Sequence, residues 1–322
     1  MKQDKPEVLI TKRFPDAVIR PLQEIAHVHQ WDAPAHFLMP REEVLKVIGN
    51  MSAVINQAEL SMDQELLTLG KKLKIVANVS IGADNLDLGL MTQHGVWASN
   101  TPGHFDYPVA EYAIGGIITI SRRLLEADRF VRSGQWDAFQ PGLWDGNGLT
   151  NKTLGIIGMG SIGSSLAKLG VCLGMKVIYH SRSERAAGYH RVPLPELLGQ
   201  SDVISVHVPY SPETYEMIGA AEFASMKPGA LFVNTSRGKV VNEKDLVHYL
   251  TTGHLGGAVL DVFFNEPEVP AALRSMYNVL LSPHVAGGTR TSRIACYNMA
   301  VANIMAVLKG KCPVNPLNRI PL

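Results

Sequence analysis

The run Thr153-Leu154-Gly155-Ile156-Ile157-Gly158-Met159-Gly160-Ser161-Ile162-Gly163 passes from a continuous apolar stretch, through three glycines spaced G-x-G-x-x-G, into a helical segment, Ser164–Leu173. An apolar run without polar alternation reads as a parallel strand buried on both faces. In that strand, turn and helix setting each glycine has its own task. Gly158 makes the tight turn, Gly160 lets a pyrophosphate approach the backbone, and Gly163 lets the helix pack on the strand. The N-terminus of the helix that follows is aimed at the anion with its positive end, and Ser161 and Ile162 within the turn are expected among the cofactor contacts. The bare motif is weak, but this context favours a dinucleotide-binding turn over a purely structural one.

Further strands of the same buried type follow at Lys176–Tyr179, Val203–Val208, Ala230–Asn234, Gly257–Asp261 and Val279–Leu281. With Leu154–Ile157 they make six strands of one doubly wound parallel sheet. Upstream, strands at Val8–Ile10, Ala53–Asn56 and Lys74–Ala77 alternate with helices around Asp16–Ala26 and Met62–Leu69, again an α/β pattern. One long helical stretch is expected over Tyr107–Arg132, with a boundary or crossover near Thr101–Pro108. Pro141, Gly142, Gly146 and Gly148 break the pattern after it. The segment Arg290–Leu308 carries Ile294, Tyr297, Val301, Ile304 and Leu308 at three- and four-residue steps, a helix able to return the chain to its first domain.

Composition narrows the partners. The chain has 322 residues, 46% of them hydrophobic, enough for two domains with large cores. Its net charge of +1 is spread without blocks of either sign, so neither nucleic acid nor an anionic membrane is an expected partner. Ala110–Ile120, the longest mainly apolar stretch, is too short to span a bilayer. Cys172, Cys296 and Cys312 show no metal-ligand spacing and suit a reducing, cytoplasmic compartment; no metal is expected.

About 20 residues past the glycine turn, where an acid usually binds the ribose hydroxyls of NAD, stands Tyr179-His180-Ser181-Arg182-Ser183-Glu184-Arg185. Serine hydroxyls and two guanidiniums favour a 2′-phosphate, so Ser181, Arg182, Ser183 and Arg185 predict NADPH. The alternative is that both arginines are solvated loop charges and NADH is used.

Three more segments fall at the C-terminal ends of strands, where ligands bind in open α/β sheets. They are Asn234-Thr235-Ser236-Arg237-Gly238, Leu260-Asp261-Val262-Phe263-Phe264-Asn265-Glu266-Pro267 and Leu281-Ser282-Pro283-His284-Val285-Ala286-Gly287-Gly288. Reduction of a 2-keto acid needs a cation for the carboxylate, an acid for the carbonyl oxygen, and a carboxylate to support that acid. Arg237 offers a bidentate fork, His284 a proton donor, and Glu266 a partner that sets its tautomer. Asp261 would orient the nicotinamide carboxamide. Taken singly, each residue has a bland reading as a turn, cap or surface loop; their joint occurrence downstream of the glycine turn shifts the balance.

These segments, with Met226-Lys227-Pro228-Gly229-Ala230, resemble the D-isomer-specific 2-hydroxyacid dehydrogenases over nearly the whole chain, and within them the NADP-dependent glyoxylate/hydroxypyruvate reductases. The resemblance implies a Rossmann doubly wound cofactor domain, residues 103–289, inserted into a flavodoxin-like α/β substrate domain, residues 1–102 and 290–322. It implies a cleft closing by hinge motion, a D-configured product and a homodimer formed through the cofactor domain. It gives Arg237, Glu266 and His284 the catalytic roles. In Val79-Ser80-Ile81-Gly82-Ala83-Asp84 it assigns the Ile81 and Gly82 amides to the substrate carboxylate. It adds Val208, Pro209, Thr214, Thr235, Ser236, Asp261 and Gly287 to the cofactor contacts. Trp144 resembles a residue lent to the neighbouring subunit's pocket; an interface packing role is the alternative.

One segment departs from the family pattern. Tyr107-Pro108 precedes Val109-Ala110-Glu111 where small polar residues are usual, which leaves substrate size open. The competing readings are a reductase of a larger 2-keto acid (2-ketogluconate, branched or aromatic) and, from another class, a cofactor-gated corepressor-like binding protein.

Overall fold

The computed structural model describes residues 5–34, 36–184 and 188–320. Two compact units form, one from Met1–Phe105 with Thr289–Leu322, the other from Asp106–Gly288.

In the first unit β1 (Glu7–Ile10), β2 (His27–Gln30), β3 (Ala53–Asn56), β4 (Ile75–Asn78) and β5 (Trp97–Ser99) form a parallel sheet in the order β2-β1-β3-β4-β5. That is the flavodoxin-like order. β3 and β4 are buried at every position, as their apolar runs require, with Val54, Ile55, Ile75 and Val76 wholly inaccessible. Two strands escaped the sequence reading. β2 is the polar edge His-Val-His-Gln, and β5 is only three residues long. The helix Arg290–Leu308 returns to this unit, where Tyr297 stacks on Phe14 at 3.8 Å between ring centroids. Asn318 then ties the chain's end to β5 by accepting from the Ala98 amide at 2.9 Å.

The second unit holds β6 (Thr153–Ile157), β7 (Lys176–His180), β8 (His190–Arg191), β9 (Val203–Val206), β10 (Ala230–Asn234), β11 (Leu255–Leu260) and β12 (Val279–Leu281). All are parallel, in the order β12-β11-β10-β9-β6-β7-β8. Six of these match the expected strands; the seventh, β8, is a two-residue exposed edge without an apolar run. Strand order reverses at β6, which lies between β7 and β9, so the crevice beyond their C-terminal ends is the expected ligand site. The long helix expected over Tyr107–Arg132 is two helices, Asp106–Ser121 and Leu124–Arg132. Arg123 between them is left-handed at φ 54°, and the Ser121 hydroxyl leaves the helix to donate to Asn147 O at 2.6 Å.

Among the described residues no helix is long and apolar enough to cross a membrane, and no disulfide joins the three cysteines.

Candidate active site

The chain leaves β6 at Ile157 and turns at Gly158, whose amide donates to His180 O at the end of β7 (2.9 Å). Gly158 has φ 99°, and a Cβ there would lie 2.6 Å from His207 O, just beyond β9. Only glycine lets the turn sit this close to the neighbouring strand. The helix Ser161–Cys172 begins at once, with Gly160 as a cap that has no side chain to offer. The amides of Ser161, Ile162 and Gly163 therefore lack both an intrahelical acceptor and a capping side chain. The space beside Gly160 is open, since a Cβ there would meet nothing within 4 Å. At the end of β10 the Thr235 hydroxyl is buried without a partner. Uncapped amides, an open flank and an unmatched hydroxyl around one crevice fit a dinucleotide diphosphate.

The loop after β7 carries the candidate 2′-phosphate residues. The Ser181 hydroxyl donates to Ser183 O. Arg182 and Ser183 are exposed, whereas Arg185 lies outside the described residues. Arg191, which the sequence reading missed, holds this loop from below: its Nε donates to Ser181 O at 2.9 Å and its Nη2 to Arg182 O at 3.2 Å. The only signal for it was a further guanidinium nine residues beyond Arg182, hidden on the unrecognised strand β8. β9 ends at Val206, two residues short of the expected limit at Val208, so Val208 and Pro209 lie in the turn after it; the Thr214 hydroxyl closes that turn, donating to Pro209 O (2.7 Å) and accepting from Ser211 N (2.8 Å).

Arg237 stands on the loop after β10, where Asn234 acts as the local brace. Asn234 Oδ1 accepts from both the amide (3.0 Å) and the hydroxyl (2.8 Å) of Ser236, while its Nδ2 donates to Arg237 O at 3.0 Å. Arg237 Nη1 donates to Ser236 O at 2.8 Å. Gly238 sets the approach of this loop to the next one, because a Cβ on it would lie 1.9 Å from Phe263 O.

Glu266 is held in the loop after β11 by the Phe263 amide, which donates to its Oε1 at 3.2 Å. Its Oε2 meets His284 Nδ1 at 2.8 Å. Burial alone would push the Glu266 carboxyl up. The hydrogen bond and charge of His284, the Phe263 amide and the Arg237 charge outweigh it and hold the carboxyl below the ordinary value. Glu266 is therefore ionised at neutral pH, and the His284 side chain remains about half exposed, at 49%.

His284 itself is left-handed, with φ 53°, a conformation a non-glycine residue keeps only when its surroundings impose it. Asp261 imposes it. Its carbonyl accepts the His284 amide at 2.9 Å; its Oδ1 accepts the Val285 amide and its Oδ2 the Ala286 amide, each at 2.8 Å. Ser282 Oγ donates to Oδ1 as well, at 2.5 Å. Asp261, expected to orient nicotinamide, is buried with its carboxylate engaged by three donors of its own chain, and what it orients here is the His284 loop. Gly287 follows in that loop, next to the turn closed by Gly288 N donating to Val285 O at 2.7 Å. The structure thus brings Arg237, Glu266 and His284 to the ends of adjacent strands, and adds Ser282 and Asp261, which no motif singled out for this task.

Ile81 and Gly82 lie in the first unit, beyond β4. Their carbonyls are occupied, Ile81 O by Asn100 Nδ2 at 2.8 Å and Gly82 O by the Ser80 hydroxyl at 2.6 Å, which fixes the direction of the loop. Trp144 packs within its own chain, 5.2 Å from the Phe130 ring and under the Arg123 guanidinium at 5.0 Å. Tyr107 is about half exposed in the first turn of the helix Asp106–Ser121. Among the described residues no cluster of side chains is suited to a metal ion.

Comparison with known proteins finds relatives over nearly the whole chain. Residues 114–286 match the NAD binding domain of the D-isomer specific 2-hydroxyacid dehydrogenases. A glyoxylate reductase of Thermococcus litoralis is 38% identical over 98% of this chain and 97% of its own. A crystal structure of a Thermus thermophilus protein superposes with a TM-score of 0.91 at 35% identity, covering 97% of this chain and 99% of that one. An NADPH-dependent glyoxylate/hydroxypyruvate reductase of Sinorhizobium meliloti, solved with NADP and malonate, superposes with a TM-score of 0.85 at 28% identity, covering 99% and 100%. With a dinucleotide turn at the strand-order switch and relatives that match it from end to end, this chain belongs to the D-isomer-specific 2-hydroxyacid dehydrogenase family and is an oxidoreductase.

Proposed function

We propose that the protein reduces a small 2-keto acid of the glyoxylate or hydroxypyruvate type to the D-2-hydroxy acid, with NADPH preferred over NADH. The observation that carries this reading is the Glu266–His284 pair, 2.8 Å apart between two loops, the His284 loop pinned by Asp261 and the Glu266 loop packed against the Arg237 loop. Arg237 binds the substrate through its planar fork, and the Ile81 and Gly82 amides take the carboxylate. A reduced nicotinamide, when bound, supplies the hydride. His284, bonded to Glu266 through Nδ1, delivers its proton from Nε2 to the carbonyl oxygen and recovers one from the hydroxyl in the reverse direction. Ionised Glu266 holds the ring through Nδ1 and leaves Nε2 to face the substrate. The cofactor preference rests on Ser181 and Arg182, on Arg185, and on the absence of an acid at the usual ribose position. Kinship with reductases that carry these activities in their names supports the same assignment.

Assembly as a cytoplasmic homodimer belongs to the same proposal. Leu124, Val131, Trp136, Phe139 and Leu143 expose 45–85% of their surface along one segment of the second unit, an apolar face suited to a second copy.

The test is initial-rate oxidation of NADPH and NADH with glyoxylate, hydroxypyruvate, pyruvate, 2-ketogluconate and phenylpyruvate. Fast turnover of the first two with NADPH supports the proposal. A preference for the bulky acids would assign the protein to larger substrates and direct attention to Tyr107, and binding without turnover would favour a non-enzymatic role. His284→Ala should lower kcat by roughly 10²–10⁴-fold while cofactor affinity persists; a variant that kept its rate would remove His284 from proton transfer.

A further inference from the structure

Beyond the residues already placed, the second unit contains a polar chain that starts on a different element. Tyr112, in the helix Asp106–Ser121, donates its phenolic proton to Ser282 Oγ at 2.5 Å. Ser282 Oγ donates to Asp261 Oδ1 at 2.5 Å, and the two oxygens of Asp261 accept the Val285 and Ala286 amides on the far side of His284. A serine hydroxyl has a single hydrogen. With Tyr112 donating into it, that hydrogen is committed to Asp261, so the phenol sets the direction of the whole chain. Burial, reinforced by the nearby Asp261 charge and only partly offset by Ser282, pushes the Tyr112 phenol up, and it remains a donor at working pH.

We infer that Tyr112, through Ser282 and Asp261, is a positioning residue that holds the left-handed His284 in the orientation its proton transfer requires. The inference rests on the reading of His284 as the proton carrier. It assigns Tyr112 no contact with substrate or cofactor. Without the phenol, Ser282 gains rotational freedom and a vacant acceptor, and its bond to Asp261 is no longer enforced. Asp261 then holds the two loop amides with less definition, and His284 samples orientations away from the productive one. A misdirected proton donor affects the chemical step more than the binding of the dinucleotide.

The experiment uses the full-length protein as Tyr112→Phe, Ser282→Ala and the double variant. Each single change is expected to lower kcat for keto-acid reduction about tenfold with the KM for NADPH within twofold of wild type. The double variant should also lose about tenfold, because both changes cut the same chain. In parallel, amide hydrogen exchange of the segment 282–288 should accelerate in both single variants relative to wild type. A hundredfold, multiplicative loss in the double variant would overturn the inference, as would a Tyr112→Phe protein with wild-type kcat and unchanged exchange. A loss confined to the KM for NADPH would also overturn it, placing Tyr112 with the cofactor instead. The exchange measurement needs no turnover. If wild type failed to reduce any 2-keto acid, the proposed function would fall while faster exchange still established the chain; if wild type and His284→Ala behaved as proposed but exchange and kcat ignored Tyr112, only this inference would fall.

Discussion

Substituting Gly238 by alanine adds a single methyl group at the point where the Arg237 loop meets the Glu266 loop. That carbon would lie 1.9 Å from Phe263 O, 2.0 Å from Phe263 C and 2.5 Å from Phe264 N. Contacts of this kind below 3.0 Å do not occur in real structures, so the two loops must separate by at least about 1.1 Å. The obstacle is backbone on every side, and no rotamer change relieves it. Phe263 N also positions Glu266, and Phe264 N is itself tied to Glu243 at 3.2 Å, so the displacement passes directly to the carboxylate that holds His284. A misplacement of about 1 Å in a catalytic arrangement costs on the order of 10²-fold in rate. Gly238→Ala is therefore expected to lose about 10²-fold in kcat/KM for keto-acid reduction, with a fall in stability of about 1–3 kcal/mol from overpacking. Steady-state kinetics, a denaturation midpoint and cofactor titration by fluorescence separate the two effects. A folded variant within threefold of wild-type kcat/KM would refute the claim that this close approach sets the catalytic geometry.

Three further outcomes are expected. Arg237→Lys should lower kcat/KM by roughly 10–100-fold, since one or two charge-assisted hydrogen bonds of the fork are lost; a value near wild type would show that a point charge suffices. In wild type the Glu266 charge, held below its ordinary pKa, is present above the usual carboxylate range and is lost only as pH falls through the lowered value. Glu266→Gln removes that charge at every pH, so the acid-requiring limb of the kcat/KM profile for reduction should move to lower pH, and an unshifted profile would exclude the pair from proton transfer. His207, with Nδ1 buried and unpartnered and the other ring nitrogen 2.8 Å from Ser205 Oγ, is pushed by burial from 6.5 to about 4. The fold thus favours its neutral form, so the unfolded chain binds the extra proton: stability is complete above 6.5 and falls as pH drops toward 4. About 2 kcal/mol should be gone at pH 5. Urea midpoints of wild type and His207→Gln at pH 7.5 and pH 5 measure this, and identical pH dependence in both would contradict it.

The family relationship and the second sheet were legible in the sequence because buried parallel strands are written as apolar runs, and the glycine turn announces its own geometry. Ala230–Asn234 and the helix Arg290–Leu308 coincide with their expected limits for that reason. The edges were not legible: β2 alternates polar residues and β8 is too short to have a pattern. Nor was the break at Arg123, where a left-handed residue with an ordinary side chain ends a helical run that periodicity would continue.

The candidate site divides in the same way. Arg237, Glu266 and His284 could be named from residue type and their place after strands, since the chemistry of a keto acid needs a fork, an acid and its partner. That Asp261 serves the His284 loop, that Ser282 and Tyr112 stand behind it, and that Arg191 holds the Ser181–Arg182 backbone depended on contacts between residues 9 to 170 positions apart. Sequence determines which groups are available and on which elements they lie; hydrogen-bond partners across strands and helices are chosen only when packing sets their distances and directions.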